Sequence, residues 1–347
     1  MSKSWKQNSP SGSFTFIDLF AGIGGFRIAL ESFGGVCIFS SEWDKNSQLT
    51  YFRNHGDLPH GDITKVSTLN IPSHDVLCAG FPCQAFSISG KQKGFDDTRG
   101  TLFFDIARIT NFHKPKILFL ENVKNLISHN HGNTFRTMLN VINDLGYDVF
   151  YKVLKSSDFG VPQARERIYI VCFRKDLNIS DFKYPNSRCA PIPIKKILEE
   201  NVDSKYFINR DDIKLNLSNV HSRVKDITKP IKVGIINKGG QGERIYSIDG
   251  AGITLSAYGG GAASKTGAYL VSNGIRKLTP RECARLQGFP EDFEIPGKDN
   301  IAYKQFGDSL TIPVVKLIFN NILKTYPKLY SQNKTFIQTP KEEVKLF

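Results

Sequence analysis

No C-x-x-C pair occurs among the six cysteines of this 347-residue chain, at positions 37, 78, 83, 172, 189 and 283, and several of them lie in apolar runs. That spacing argues against a zinc site or a disulfide framework and fits a reducing compartment, so no metal is expected. No apolar run reaches membrane-spanning length, and Met1 to Gly12 is polar, without the apolar core of a signal peptide. A soluble, cytoplasmic protein with no membrane partner is the expectation. Acidic residues are outnumbered, 33 Asp and Glu against 46 Lys and Arg, leaving a net charge of +13. Such a balance favours a polyanionic partner or merely confers solubility. The length suits one large domain with a smaller insertion, each able to bury a core.

The chain opens with a strand, a glycine loop and a helix. Phe14 to Phe20 is apolar and β-rich, Gly22-Ile23-Gly24-Gly25 breaks it, and Phe26 to Leu30 resumes with helical spacing. A loop of this kind lets a ligand approach backbone N–H groups at a helix N-terminus, as nucleotide cofactors do in doubly wound sheets. A second strand, Val36 to Ser40, ends at Glu42, 20 residues after Gly22, where a carboxylate accepts from ribose hydroxyls. A third strand end is expected at Gly61-Asp62-Ile63, with Asp62 placed to accept from an adenine amino group. A nicotinamide-dependent dehydrogenase shares a glycine loop and an acid. Here, however, the loop reads G-x-G-G rather than G-x-G-x-x-G, so no diphosphate cradle is spelled out.

Asp75 to Gly80 is short, apolar and partly β-branched, which predicts a buried strand, and Pro82 stops it. Cys83 follows, at an exposed strand end ahead of a loop, Ser87 to Phe95, that carries two glycines and two lysines. Most cysteines are small buried hydrophobes, so this one needs support from its neighbours. Further on, Leu102 to Phe112 reads as a helix, and Lys116 to Leu120 as a buried parallel strand ending in Glu121-Asn122. Met138 to Leu145 reads as a helix, and Tyr147 to Leu154 and Ile168 to Phe173 as strands. Arg165 and Arg167 alternate just before the last of these and so face one side.

After about Pro193 the composition turns rich in Lys, Asn and Ile, and eleven glycines fall between Gly234 and Gly274. Two glycine loops, Asn237 to Arg244 and Leu255 to Gly261, are interleaved with Ile, Leu, Tyr and Arg, unlike flexible linkers. Short strands such as Ile231 to Ile236 are expected to flank them. Gln241 and Arg244 carry side chains that read base edges. Arg276 to Gly288 is read as a helical return segment and Val314 to Leu323 as a final amphipathic helix. The tail from Ser331 onward is charged.

Taken in order, FIDLFAGIGGF (Phe16 to Phe26), GFPCQAFSISGKQKG from Gly80, ENV at Glu121, QARER at Gln163 and RKLTPRECARLQGFP from Arg276 resemble the DNA cytosine-5 methyltransferases. The resemblance runs from about Phe14 to Leu323, nearly the whole chain. It implies an α/β fold, a Rossmann-like S-adenosylmethionine-dependent methyltransferase sheet with a smaller, mainly β target-recognition domain. The expected boundaries are a catalytic and cofactor-binding domain over 1–193 and recognition over 194–279. A hinge segment (280–306), a C-terminal helix completing the first domain (307–332) and a tail (333–347) follow.

The resemblance implies S-adenosyl-L-methionine held by Phe20, Gly22, Gly24, Glu42, Trp43, Asp62, Ile63, Gly80, Leu102 and Asp308. It implies catalysis by Cys83, Glu121, Arg165 and Arg167, and DNA contacts by Ser89, Gln241, Arg244, Thr254 and Tyr258. Double-stranded DNA is the implied partner, met by a monomer, with a cognate restriction endonuclease encoded alongside. The stretches KGGQGERIYS and TLSAYGGG resemble those of a member whose target is GCGC. An RNA cytosine-5 methyltransferase and a DNA-binding protein with little turnover are the alternatives. One departure stands out: Gly307-Asp308-Ser309 replaces the family's Gly-Asn-Ser. Asp308 is expected to attract the cofactor's sulfonium, to repel its carboxylate, or simply to cap the helix that follows.

Overall fold

The structure is a computed structural model that describes residues 3–6, 14–82, 102–186, 189–217 and 226–330. Cys83, Ser89, the loop around them and the tail beyond 330 lie outside the described residues. The first sheet has six strands in the order β2-β1-β3-β4-β6-β5. They are β1 (Phe14–Leu19), β2 (Gly35–Ser41), β3 (Val76–Gly80), β4 (Ile117–Val123), β5 (Tyr147–Lys155) and β6 (Glu166–Arg174). The first four are parallel, and β6 runs antiparallel to both β4 and β5.

Strand periodicity divides the apolar residues between two layers. Phe16, Cys78, Phe119 and Val171 face one side, beneath α1 (Gly25–Glu31) and a late helix. Ile17, Leu77, Leu118 and Ile170 face the other, beneath α3 (Leu102–His113) and α4 (Asn133–Asp144). α2 (Lys45–His55) joins β2 to the segment before β3, its N-terminus capped by the Asp44 side chain, which accepts from the Ser47 N–H. α1 begins at Gly24, whose φ of 89° is left-handed. A side chain there would also strike the His55 ring.

The second sheet has five strands in the order β11-β10-β9-β8-β7. They are β7 (Ile213–Leu215), β8 (Lys232–Ile236), β9 (Arg244–Ser247), β10 (Ala268–Val271) and β11 (Gly274–Lys277). Its own small core is built on Ile231, Val233, Ile236, Ile245 and Ile275. Three helices then follow: α5 (Pro280–Gln287), α6 (Asp299–Asp308) and α7 (Ile312–Thr325). α7 returns to the first sheet, where Phe319 packs on Phe14 with ring centroids 5.3 Å apart.

Three expectations are corrected. Gly61 to Ile63 ends no strand: His60 makes an isolated bridge to Ser41, and Ile63–Lys65 forms a short 3-10 turn. The Asp62 side chain caps that turn by accepting from Thr64, competing with extended pairing. Arg276 is not helical but lies in β11 opposite Tyr269, and the helix starts four residues later at Pro280. Thr279 caps it and Glu282 reaches back to the Thr279 N–H, a capping box with proline at the first helical position. Asp308 does not cap the helix that follows. It is the last residue of α6, and the N-cap of α7 is Thr311.

Candidate active site and nucleic-acid interface

The C-terminal ends of β1 to β4 and the end of α6 open into one cavity of about 780 Å³. In doubly wound sheets this edge is where ligands bind. At one end lies Glu42, buried, just past β2. Its carboxylate accepts from the Gly22 N–H at 2.8 Å and from the Asp44 N–H at 2.7 Å. Burial pushes the Glu42 carboxyl up, and those backbone donors pull it back, leaving it above the usual carboxylate range. Gly22 has a left-handed φ of 56°, and nothing lies within 4 Å of where its Cβ would be. A ligand can therefore approach this backbone closely. Trp43, 77% exposed, offers its ring to the same cavity.

Phe20, Asp62, Ile63, Gly80, Leu102 and Asp308 also line the cavity, so the structure gathers these expected cofactor positions in one place. Gly24 is not among the lining residues and serves instead as the helix N-cap. Besides Glu121, four carboxylates, Glu42, Asp44, Asp62 and Asp308, line this space, whose apolar walls include Phe20, Ile23 and Ile63. That chemistry fits a flat nucleoside joined to a cationic tail, as in S-adenosylmethionine: acceptors for hydroxyls and an amino group, and negative charge for a sulfonium. Burial raises the Asp308 carboxyl, while Lys304 and Arg165 draw it down. Lys304 is held by Asp44, Nζ to Oδ2, at 2.7 Å.

At the other end lies Glu121, which β3–β4 register sets opposite Gly80. A Cβ added at Gly80 would be 3.8 Å from Glu121 Oε2. Cys83, three residues beyond Gly80, is outside the described residues, as is Ser89. Asn122 fixes this corner by donating from Nδ2 to the Phe81 carbonyl at 2.8 Å. The Arg167 Nε lies 3.2 Å from Glu121 Oε1 as an ion pair. Burial pushes the Glu121 carboxyl up, and Arg167 and Arg165 only partly offset it, so it keeps its proton to higher pH than an exposed glutamate.

Both arginines face the Glu121 side, as the alternation predicts, but they do different work. Arg165, fully buried, donates to the carbonyls of Leu255, Gly307 and Ser309. Burial lowers its guanidinium to about 9, so it stays charged at neutral pH. Gln163 extends the tie, donating to the Leu286 carbonyl and accepting from the Leu255 N–H. Gln287, Thr311 and Ser156 complete a buried polar junction between the first sheet, the 252–258 segment and the end of α6.

The proposed base readers sit on the second sheet. Gln241 and Arg244 are both exposed, at the two ends of one short turn running into β9. The two glycine loops pack on each other: a Cβ at Gly242 would lie only 2.0 Å from the Gly260 carbonyl, and Ala263 donates its N–H to the Gly242 carbonyl. Thr254 is half-buried and donates to the Ala164 carbonyl at 2.8 Å. Tyr258, 72% exposed, stands among the residues lining the cavity. Sequence reasoning passed over Asp44, Lys304 and Gln287. The Asp44–Lys304 pair spans 260 residues, and no local pattern announces it.

A doubly wound sheet with a nucleoside-shaped, acid-lined cavity and a buried strand-end glutamate defines an S-adenosylmethionine-dependent methyltransferase. Residues 14–324 match the model of the C-5 cytosine-specific DNA methylases, and the chain belongs to that family. It therefore methylates cytosine in DNA, with S-adenosylmethionine as methyl donor. It is 53% identical to the Type II methyltransferase M.HhaI of Haemophilus parahaemolyticus over 308 residues, 88% of this chain and 93% of that protein. Identity to the Type II methyltransferase M.HpaII of Haemophilus parainfluenzae is 48%, over 91% of each. Among solved structures, the Dnmt2 methyltransferase of S. pombe superimposes with a TM-score of 0.68 at 20% identity, over 90% of this chain and 98% of that one. Among the described residues, no helix is long and apolar enough to cross a membrane and no cluster of potential metal ligands occurs.

Proposed function

We propose that this chain methylates C5 of a cytosine within GCGC in double-stranded DNA, as a monomer and as the modification half of a restriction-modification pair. The observation that carries the reading is that one cavity joins Glu42, at its cofactor end, to Glu121 and Arg167 at its reaction end. The relatives' designation as Type II methyltransferases supports the pairing with an endonuclease. The stretch from Lys238 to Ser247 supports the target. Residues 194–279 form the recognition domain and 1–193 with the returning α7 form the catalytic one.

When bound, S-adenosylmethionine supplies an electrophilic methyl group. Cytosine C5 is too weak a nucleophile to take it unaided. The Cys83 thiolate adds to C6, and the electron pair of the C5–C6 double bond moves to C5. Glu121, whose carboxyl burial pushes upward, hydrogen-bonds N3 and, as the proton donor there, steadies the charge that builds on the ring. Transfer forms the C5–methyl bond, a base removes the C5 proton, and the returning electron pair expels Cys83. Arg167 holds the Glu121 carboxyl in place. None of these atoms is reachable in stacked duplex, so the cytosine must be flipped out.

Bisulfite sequencing of unmodified plasmid incubated with the protein and S-adenosylmethionine tests the reading. Protection at GCGC is expected. No protected cytosines would end the enzymatic reading, whereas protection elsewhere would end only the target assignment. Cys83→Ser is expected to abolish methylation while leaving DNA binding in place, and retained turnover would remove Cys83 as the nucleophile.

A further inference from the structure

Three buried polar atoms lack a hydrogen-bond partner among the described residues and belong to one neighbourhood: Tyr169 Oη, Arg165 Nε and Glu121 Oε1. The β4–β6 register sets Tyr169 directly opposite Glu121, four residues along the chain from Arg165. Opposed residues of an antiparallel pair project from the same face, with Cβ atoms about 5 Å apart. Tyr169 shares its sheet face and its hydrophobic layer with Phe119 and Val171. It is fully buried, and its hydroxyl points into no solvent. Buried hydroxyls and guanidinium N–H groups are rarely left unmatched, because each costs its full desolvation. A hydroxyl and a guanidinium N–H left unmatched beside an unmatched oxygen of the reaction-centre acid suit a shared bridging group. Glu121 Oε1 does have the Arg167 charge 3.2 Å away, but not in hydrogen-bond alignment.

We propose that Tyr169 is a positioning residue for Glu121, its hydroxyl joined to the Glu121 carboxyl through one buried water that Arg165 Nε also holds. A water with donors and acceptors on three sides meets the two to four partners such a site requires. Arg165 Nε donates to the water, which donates to Glu121 Oε1, and the tyrosine hydroxyl completes the ring. This arrangement fixes the rotamer of Glu121 from behind while Oε2 stays over Gly80, facing the cavity. It also favours the charged form of the carboxyl against the burial that opposes it. The charges acting on Glu121 are those of Arg167, in β6, and Arg165, just before it, with Asp308 acting on Arg165 from the end of α6, while Glu121 in turn acts on Tyr169. The inference rests on the proton-donor role of Glu121 proposed above.

Tyr169→Phe keeps the ring and removes only the hydroxyl. With the hydroxyl gone, kcat is expected to fall about tenfold, while KM for S-adenosylmethionine and the melting temperature stay as in the parent. The water loses a partner, the carboxyl keeps its proton longer, and the alkaline limb of the pH–rate profile moves up by on the order of one pH unit. A profile that superimposes on the parent's overturns the proposal. So does a lower rate with an unmoved limb and a reduced melting temperature, which marks packing alone. A crystal structure of the parent protein gives an independent check: oxygen density within hydrogen-bond reach of all three atoms supports the bridge, and its absence refutes it. Glu121→Gln separates the two readings. Full activity in that variant refutes the role of Glu121 itself, whereas a dead Glu121→Gln beside a parent-like Tyr169→Phe refutes only the role of Tyr169.

Discussion

Gly22 donates its backbone N–H to Oε2 of Glu42 at 2.8 Å, so the glycine loop and the end of β2 form one corner. The other carboxylate oxygen accepts from the Asp44 N–H, so both oxygens are committed to backbone donors before any ligand arrives. A glutamine keeps the shape but turns one acceptor into a donor, setting it against one of those N–H groups. Glu42→Gln is therefore expected to weaken S-adenosylmethionine binding by about 1.5–3 kcal/mol, tenfold or more. Titration calorimetry on the free protein measures this directly, and equal affinities would show that the corner is not where the ribose is held.

Arg244 is exposed at the start of β9, and among the described residues its Nε makes one long contact, 3.4 Å to the Gly239 carbonyl. The guanidinium is thus available for guanine O6 and N7. Arg244→Ala is expected to reduce discrimination between GCGC and singly altered sites by about 1–3 kcal/mol. Competition binding at fixed salt reads this, and unchanged discrimination would move the reader to another residue. Fixed salt matters because phosphate contacts make every affinity fall as ions are added.

Asp308 occupies the cavity at the end of α6, its carboxyl raised by burial and drawn back by Lys304 and Arg165. Above its pKa it is an anion that repels the cofactor's carboxylate, and below it the neutral acid can donate. S-adenosylmethionine affinity is accordingly expected to weaken as pH rises through the Asp308 pKa. Asp308→Asn, always neutral and always a donor, removes that slope and binds more tightly above it. Matching affinity–pH curves for the two proteins would make the substitution neutral.

His74 is buried, its Nδ1 hydrogen-bonded at 2.8 Å to the Pro72 carbonyl and its ring centroid 5.2 Å from that of His113. Burial and the neighbouring imidazole push it down to about 4. The unfolded chain therefore binds a proton below about pH 6.5 that the folded one refuses until about pH 4. Its contribution to stability is whole above pH 6.5 and declines on acidification, by up to about 3 kcal/mol at pH 4. Urea denaturation of the parent and of His74→Gln across that range checks the sign: the variant should lose stability less steeply, and parallel slopes would refute it.

Local patterns carried much of the site. Glu42 was legible because the turn from a glycine loop to the next strand end spans a nearly fixed number of residues, and Glu121 because an apolar strand ran straight into it. Arg276 was misread because strand β11 is only four residues long, and the strong helix signal of Thr279-Pro280-Arg281-Glu282 begins just after it. The third strand end failed for a similar reason, since Asp62 favours a turn by bonding its own neighbour Thr64. What the sequence hides is long-range polar contact. Gln163 meets Gln287 and Asp44 meets Lys304 only after two sheets and several helices are in place, and nothing in the residues nearby encodes the meeting.

The return of α7 to the first sheet has a consequence for synthesis. Phe14 and Phe119 lie on one face of that sheet, with Phe26 of α1 against Phe119, and the helix that completes their cover, with Phe319 stacked on Phe119, is made some 140 residues after the last strand of the sheet. A growing chain can pair all six strands on the ribosome yet leave an aromatic surface bare until its final stretch emerges. The ribosome must hold this protein as an unfinished, adhesive intermediate while those intervening residues are made, and premature termination before Ile312 would release a chain fated to aggregate instead of a smaller working enzyme.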